Sequence, residues 1–206
     1  MTEPQHDCGL YLVIENGTLH YEAWFLDAVL GAGHVACVLF EAAGWQGSSN
    51  GIDALRDAVQ CVQSHEVAAL IADDADIARK IGADGVHLSE TADLEFEIGE
   101  ARNALGDGAI VGVHAGASKH QAMMAGELGA DYVALDPGEQ FFGESLIGWW
   151  AAVVEVPCVA WGATDSAQAR RFAEDGADFV MLRLEASLVP EHARDLVSKV
   201  SAVLRA

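Results

Sequence analysis

The sequence predicts an α/β protein, a TIM-type (β/α)8 barrel forming one domain over residues 1–206. Three observations carry this. Short apolar runs alternate with longer segments of helical period, the signature of βα units that build a parallel sheet. The apolar runs number about eight, the count such a barrel needs. Gly-Ala-Asp recurs at 82–84, 129–131 and 176–178, a constant spacing of 47 residues. Each copy precedes a strand of one pattern: Gly85-Val86-His87-Leu88, Tyr132-Val133-Ala134-Leu135 and Phe179-Val180-Met181-Leu182. A period of 47 also suits a helical solenoid, but the β-branched cores after each copy favour the barrel.

The strands are expected, in order, at Leu10–Ile14, Ala36–Phe40, Ala68–Ile71, Gly85–Leu88, Ile110–Val113, Tyr132–Leu135, Cys158–Trp161 and Phe179–Leu182. Helices fall between and after them near 20–31, 52–65, 75–82, 93–105, 118–129, 145–154, 166–175 and 190–204, each with apolar residues at i, i+3 and i+4. Asp165 and Asn50 read as N-caps. In each Gly-Ala-Asp, the glycine ends a helix in a left-handed conformation, the alanine packs tightly, and the aspartate starts the turn into the next strand. These motifs belong to the stability face of the barrel.

At 206 residues the chain is at the lower edge for such a fold, which typically takes ~250. It carries 11 Lys and Arg against 32 Asp and Glu, a formal charge of −21. That field repels phosphate backbones and anionic membranes, so nucleic acid and membrane partners are not expected. It also opposes a diphosphate substrate unless Mg²⁺ or a local basic patch offsets it. Cys8, Cys37, Cys61 and Cys158 include no CxxC pair and read as buried small apolar residues in a reducing cytoplasm. Residues 1–7 lack the pattern of a signal peptide, and no stretch approaches a membrane span. A homo-oligomer remains open.

In this fold chemistry sits at the C-terminal ends of the strands. The residues there are Glu15, Asn16, Glu41, Asp73, Asp74, Glu90, His114, Asp136, Gly162-Ala163-Thr164-Asp165, Arg183 and Glu185. Asp73 and Asp74 are the metal candidates, because Mg²⁺ prefers carboxylate oxygens, and Glu90 can complete the set. Alternatively, Asp74 caps the next helix and Asp73 is solvated. His114 points either into the mouth, where it suits acid/base work beside a carboxylate, or sideways toward a helix. Gly162-Ala163-Thr164 before a helix, with Arg183, reads as a phosphate site or as an ordinary turn with Arg183 paired to a carboxylate. His87 reads as a core histidine. His6, His20, His34, His65, His120 and His192 show no HxH or HExxH spacing and receive no role. Trp149-Trp150 reads as core or an oligomer face, and Trp161 ends the seventh strand.

The run Ala69-Leu70-Ile71-Ala72-Asp73-Asp74 through Ile81-Gly82-Ala83-Asp84-Gly85-Val86-His87-Leu88 resembles the strand 3 to strand 4 block of thiamine phosphate synthases. Ile110-Val111-Gly112-Val113, Glu127 to Val133, Val156 to Ala160 and Gly176-Ala177-Asp178 are similar to the later strands in the same order. The resemblance implies a transferase that joins a pyrimidine diphosphate to a thiazole phosphate, with Mg²⁺ holding the leaving diphosphate as a pyrimidine carbocation forms. It carries Asp73 onto one family metal ligand, and places Asp93 one position from the second, which aligns near Ala92. Ala72 stands at the family's Asn, Glu90 at its Gln and His114 at its Ser. Glu41-Ala42-Ala43-Gly44 and Asp136-Pro137-Gly138-Glu139-Gln140 supply none of its cations, and Gly162-Ala163 stands at its Gly-Gly phosphate turn.

The residues and the resemblance together support three functions. One is a divergent thiamine phosphate synthase, with Mg²⁺ at Asp73, Asp74 and Asp93, phosphate at Gly162, Ala163, Thr164 and Arg183, and Glu90 and His114 as catalytic groups. The second is a thiazole-phosphate tautomerase-like isomerase with His114 as base. The third is a non-catalytic barrel that takes thiamine or another small cation in its acidic mouth.

Overall fold

The computed structural model describes residues 8–15, 22–41, 49–138, 145–185 and 187–205. Asn16, His6, His20, Ala42 to Gly44, Glu139, Gln140 and the start of the helix expected at 20–31 lie outside the described residues, as does the side chain of Asn50.

Eight strands alternate with eight helices in the described residues: β1 (Gly9–Ile14), α1 (Ala23–Leu30), β2 (Val35–Phe40), α2 (Ser49–Ser64), β3 (Ala68–Ala72), α3 (Ala75–Ile81), β4 (Gly85–Leu88), α4 (Leu94–Leu105), β5 (Ile110–His114), α5 (Lys119–Glu127), β6 (Tyr132–Leu135), α6 (Leu146–Val153), β7 (Cys158–Ala163), α7 (Ser166–Glu174), β8 (Phe179–Leu184) and α8 (Pro190–Leu204). The strands pair in parallel with their chain neighbours, and β8 pairs with β1, so the sheet is a closed barrel. The predicted (β/α)8 fold is the observed one.

Alternation along each strand divides the apolar residues into two cores. Leu10, Leu12, Ile14, Val38, Phe40, Ala69 and Ile71 face outward and pack with helix residues such as Phe25, Leu55, Val59, Ile98 and Val197. Tyr11, Val13, Cys37, Leu39, Leu70, Tyr132, Ala134, Val159 and Met181 form a cluster of strand residues alone, which is the barrel's interior. Gly112 makes room there: a Cβ at that position would lie 1.9 Å from Tyr132 Cζ. The Tyr132 ring therefore lies over Gly112 on the adjacent strand, with its hydroxyl inside the barrel.

The Gly-Ala-Asp repeat has a more specific role than a turn. Gly82, Gly129 and Gly176 have φ of 79°, 87° and 98°, the left-handed helix ends expected of them. The aspartates reach sideways rather than forward. Asp84 Oδ2 accepts from the Ala69 amide, Asp131 Oδ2 from Val111 and Asp178 Oδ2 from Cys158, at 2.8, 2.7 and 2.8 Å. Each carboxylate thus satisfies an amide at the start of the neighbouring strand, where the ladder has not yet begun. The 47-residue period places one such clasp every second βα unit. Asp178→Ala leaves the Cys158 amide unpaired and is expected to cost about 1.5–3 kcal/mol, the scale of a hydrogen bond to a charged group. A urea melt checks this; an unchanged midpoint would show that the clasp is dispensable.

Candidate functional site

At the C-terminal ends of the strands a cavity of about 500 Å³ opens, lined by Leu39, Glu41, Ala72, Asp73, Asp74, His87, Ser89, His114, Trp161 and Arg183. Its floor is aromatic. The His87 and Trp161 rings stack at 5.0 Å between centroids and 3° between planes, and the His114 ring lies 4.8 Å from Trp161. Below them a hydrogen-bonded column runs into the barrel: His87 Nδ1 to the Tyr132 hydroxyl at 2.8 Å, and that hydroxyl to Tyr11 Oη at 2.8 Å. Burial, and then the neighbouring His114, push His87 down to about 3. Burial pushes Tyr11 and Tyr132 above the ordinary tyrosine range. The column is therefore neutral at physiological pH, and it fixes His87 in orientation as well as charge. His87 is the satisfied core histidine the sequence suggests, and its ring also reaches the cavity.

Asp73 follows β3 in a left-handed conformation, φ 57°, rare for a residue with a side chain. Three contacts hold it there. Its amide donates to the His87 carbonyl at 3.0 Å, and the Ser89 amide and hydroxyl donate to Asp73 Oδ1 and Oδ2 at 2.6 and 2.7 Å. Asp74 and Asp93, the other two metal candidates, serve as N-caps: Asp74 Oδ1 accepts from the Ile77 amide and Asp93 Oδ1 from the Phe96 amide. Asp73, Asp74 and Asp93 do not converge on one point. Aspartate at a strand-to-helix junction suits a cap and a metal equally well, so sequence alone leaves the two readings open.

His114 ends β5 and turns into the mouth, where its Nε2 lies 3.1 Å from Asp136 Oδ1. The histidine is largely covered, with 16% of its side chain exposed against 42% for Asp136. Glu90 joins them: one imidazole nitrogen and two carboxylate oxygens lie within 4.8 Å of one another. Two chain crossings lock this corner, the Ala115 amide to the Ala134 carbonyl and the Asp136 amide to the Gly116 carbonyl. The group is equipped to move a proton or to hold a cation with mixed nitrogen and oxygen ligands.

The opposite wall carries Arg183, the one Lys or Arg among the described residues lining the cavity. It is bracketed by Glu15 and Glu41, both ion-paired to its Nη1. The carboxylate-paired alternative for Arg183 is thus what the structure displays. Gly162 and Ala163 belong to the end of β7, where Gly162 has φ 90° and the pairing with β8 slips between Ala160 and Ala163. The Thr164 amide and hydroxyl both donate to Gln168 Oε1, and Asp165 caps α7, as expected. Any anion at this corner would replace contacts that the chain makes with itself.

Sequence reasoning passed over Ser89 and underrated Trp161. Ser89 follows the fourth apolar run and Trp161 ends the seventh, so their strand parity was the signal: stepping by two from His87 gives Ser89, and from Val159 gives Trp161. Trp150 is core, buried with its indole N–H on the Val156 carbonyl.

A closed eight-stranded barrel with a polar, cleft-like mouth at the strands' C-terminal ends defines a (β/α)8 protein with a small-molecule site. Comparison with known proteins narrows this. The family model for thiamine monophosphate synthase matches residues 10–185, and the chain belongs to that family. Among its relatives, the thiamine-phosphate synthase of Rhodospirillum centenum is 37% identical over 188 residues, covering 84% of this chain and 86% of that one. The thiamine-phosphate synthase of Hyphomonas neptunium is 35% identical over 171 residues, covering 75% and 74%. A solved thiamine phosphate pyrophosphorylase from Pyrococcus furiosus superposes with a TM-score of 0.75 over 97% of this chain and 96% of that one, at 20% identity, and so bears on the fold.

Proposed function

We propose that this chain is a thiamine phosphate synthase-type transferase of thiamine biosynthesis, acting in the cytoplasm on two phosphorylated small molecules. In this reaction the pyrimidine's C–O bond to diphosphate breaks, a C–N bond to the thiazole nitrogen forms, and diphosphate leaves. Family membership over most of the chain supports the reading. The observation that carries it is Asp73: a carboxylate at the mouth, in an uncommon backbone conformation, with both oxygens oriented by Ser89. Uncommon backbone held by surrounding bonds marks functional positions.

The donor set fits Mg²⁺, which takes one or two carboxylates and keeps waters and substrate phosphates around it. Asp73 would hold the ion, which would supply positive charge to the departing diphosphate. The rest falls to the chain. Glu41 lines the cavity and brackets Arg183 together with Glu15; the two carboxylates outweigh the single arginine charge, and such a net negative wall stabilises positive charge developing on a pyrimidine ring. His114 and Trp161 offer ring surfaces to a flat heterocycle, and the buried His87 backs Trp161. Arg183, with the backbone of Gly162, Ala163 and Thr164, meets phosphate once Glu15 or Glu41 yields.

The test is to incubate the chain with pyrimidine diphosphate, thiazole phosphate and Mg²⁺ and to measure thiamine phosphate. Product above an Asp73→Ala control supports the assignment, and none above it defeats it.

A second reading rests on a separate observation, the His114–Asp136 pair beside Glu90. There His114 acts as base in a thiazole-phosphate tautomerisation, removing a proton at one position and returning it at another. It predicts metal-independent turnover, lowered about 10²–10⁴-fold in His114→Ala. An unchanged rate in that variant rejects it.

A further inference from the structure

On the outside of the barrel three side chains of different ligand chemistry meet. Asp27 comes from α1; Cys61 lies near the end of α2, and His65 follows four residues later in the turn that closes the helix. One oxygen, one sulfur and one nitrogen of these residues all lie within 4.8 Å of one another. His65 Nε2 is 2.8 Å and Cys61 Sγ 3.5 Å from Asp27 Oδ1. We propose that Asp27, Cys61 and His65 form a binding site for a zinc-type divalent cation, remote from the mouth, with a fourth position left for water or an exchangeable ligand.

The placement follows from helix geometry. Leu55, Ala58, Val59 and Val62 turn one face of α2 into the core. Cys61 and His65 flank that stripe at a spacing that puts both on the side facing α1. Cys61 differs from Cys8, Cys37 and Cys158, which are buried, whereas Cys61 is part-exposed. Asp27 and His65 are exposed enough to admit an ion from solvent, at 58% and 35% of their side chains. A thiolate, an imidazole and a carboxylate are the ligand types zinc takes, and the sulfur disfavours Mg²⁺ and Ca²⁺. On binding, the Cys61 S–H bond breaks, a sulfur–metal bond forms and the proton goes to solvent. Because the end of α2 lies just before the start of β3, the ion would tie α1 to α2 at the barrel's stability face.

The experiment uses the whole chain, treated with chelator and titrated with Co²⁺ as a spectroscopic substitute for zinc. One equivalent is expected to produce a sulfur-to-cobalt charge-transfer band and the intense visible absorption of four-coordinate cobalt, both erased by Zn²⁺. Zn²⁺ at about a hundred times its dissociation constant is expected to raise the melting temperature by roughly 5–10 °C. Cys61→Ser removes the charge-transfer band, and His65→Ala keeps it but weakens affinity at least about tenfold. The Glu90, His114 and Asp136 group contains no sulfur, so cobalt bound there gives no such band. Absence of the band at millimolar Co²⁺, its persistence in Cys61→Ser, or unchanged affinity in His65→Ala overturns the proposal.

Discussion

Asp73→Asn is expected to lower thiamine phosphate formation by about 10²–10³-fold, the usual loss when one pre-positioned electrostatic group is removed from a site. Asparagine keeps an acceptor for Ser89 and tolerates the left-handed backbone at φ 57°. The substitution therefore removes one negative charge with little else. The melting temperature should stay within a few degrees of the parent's, which separates a lost ligand from a lost fold. If Asp73 holds Mg²⁺, part of the rate should return as Mg²⁺ is raised. Activity within a few-fold of the parent at every Mg²⁺ concentration would remove Asp73 from the chemistry.

The second large effect is on stability against acid. His87 is held neutral in the folded chain at about 3, against an ordinary value of 6.5, because burial penalises its charged form. Once unfolded, the ring is free to take a proton below 6.5. The unfolded state then binds more protons than the folded one, so stability is present above pH 6.5 and is lost progressively toward pH 3. Between pH 7 and pH 5 this linkage amounts to about 2 kcal/mol. His87→Gln removes the titrating ring. Unfolding free energies from urea melts at the two pH values should differ by about 2 kcal/mol more in the parent than in the variant. Equal pH dependence would mean that His87 is already solvated or charged in the folded state.

The sequence revealed most of the fold because period and punctuation agree. Apolar runs alternate with helical spacing, and the repeated Gly-Ala-Asp set the register of three successive unit pairs. Expected and observed boundaries differ by a few residues, most instructively at the C-terminal ends of β5 and β8. His114 and Arg183 stop the apolar runs, yet they stay paired in the ladder, whereas β7 runs on past Trp161 through a slip in its pairing with β8. At these two positions polarity is a matter of where the strand ends, and it leaves the backbone pairing intact.

The site was less legible, and the reasons differ by residue. Asp73, Asp74 and Asp93 are the same residue type at similar junctions; only the backbone at Asp73 and the caps at Asp74 and Asp93 distinguish them. The Tyr11–Tyr132–His87 column joins residues 121 and 45 positions apart, which no local pattern can announce. Cys61 and His65 were visible as a four-residue spacing, but their partner Asp27 lies 34 residues before Cys61.

In either proposed reaction the ligand sits in the mouth between Asp73, His114, Trp161 and Arg183. A crystal structure of the chain with thiamine phosphate and Mg²⁺ tests that most directly. Density for the ligand inside this cavity, with its phosphate turned toward Arg183 and the end of β7, is the predicted result. Thiamine phosphate bound on another face, or a mouth in which Arg183 stays closed between Glu15 and Glu41 at saturating ligand, would contradict it.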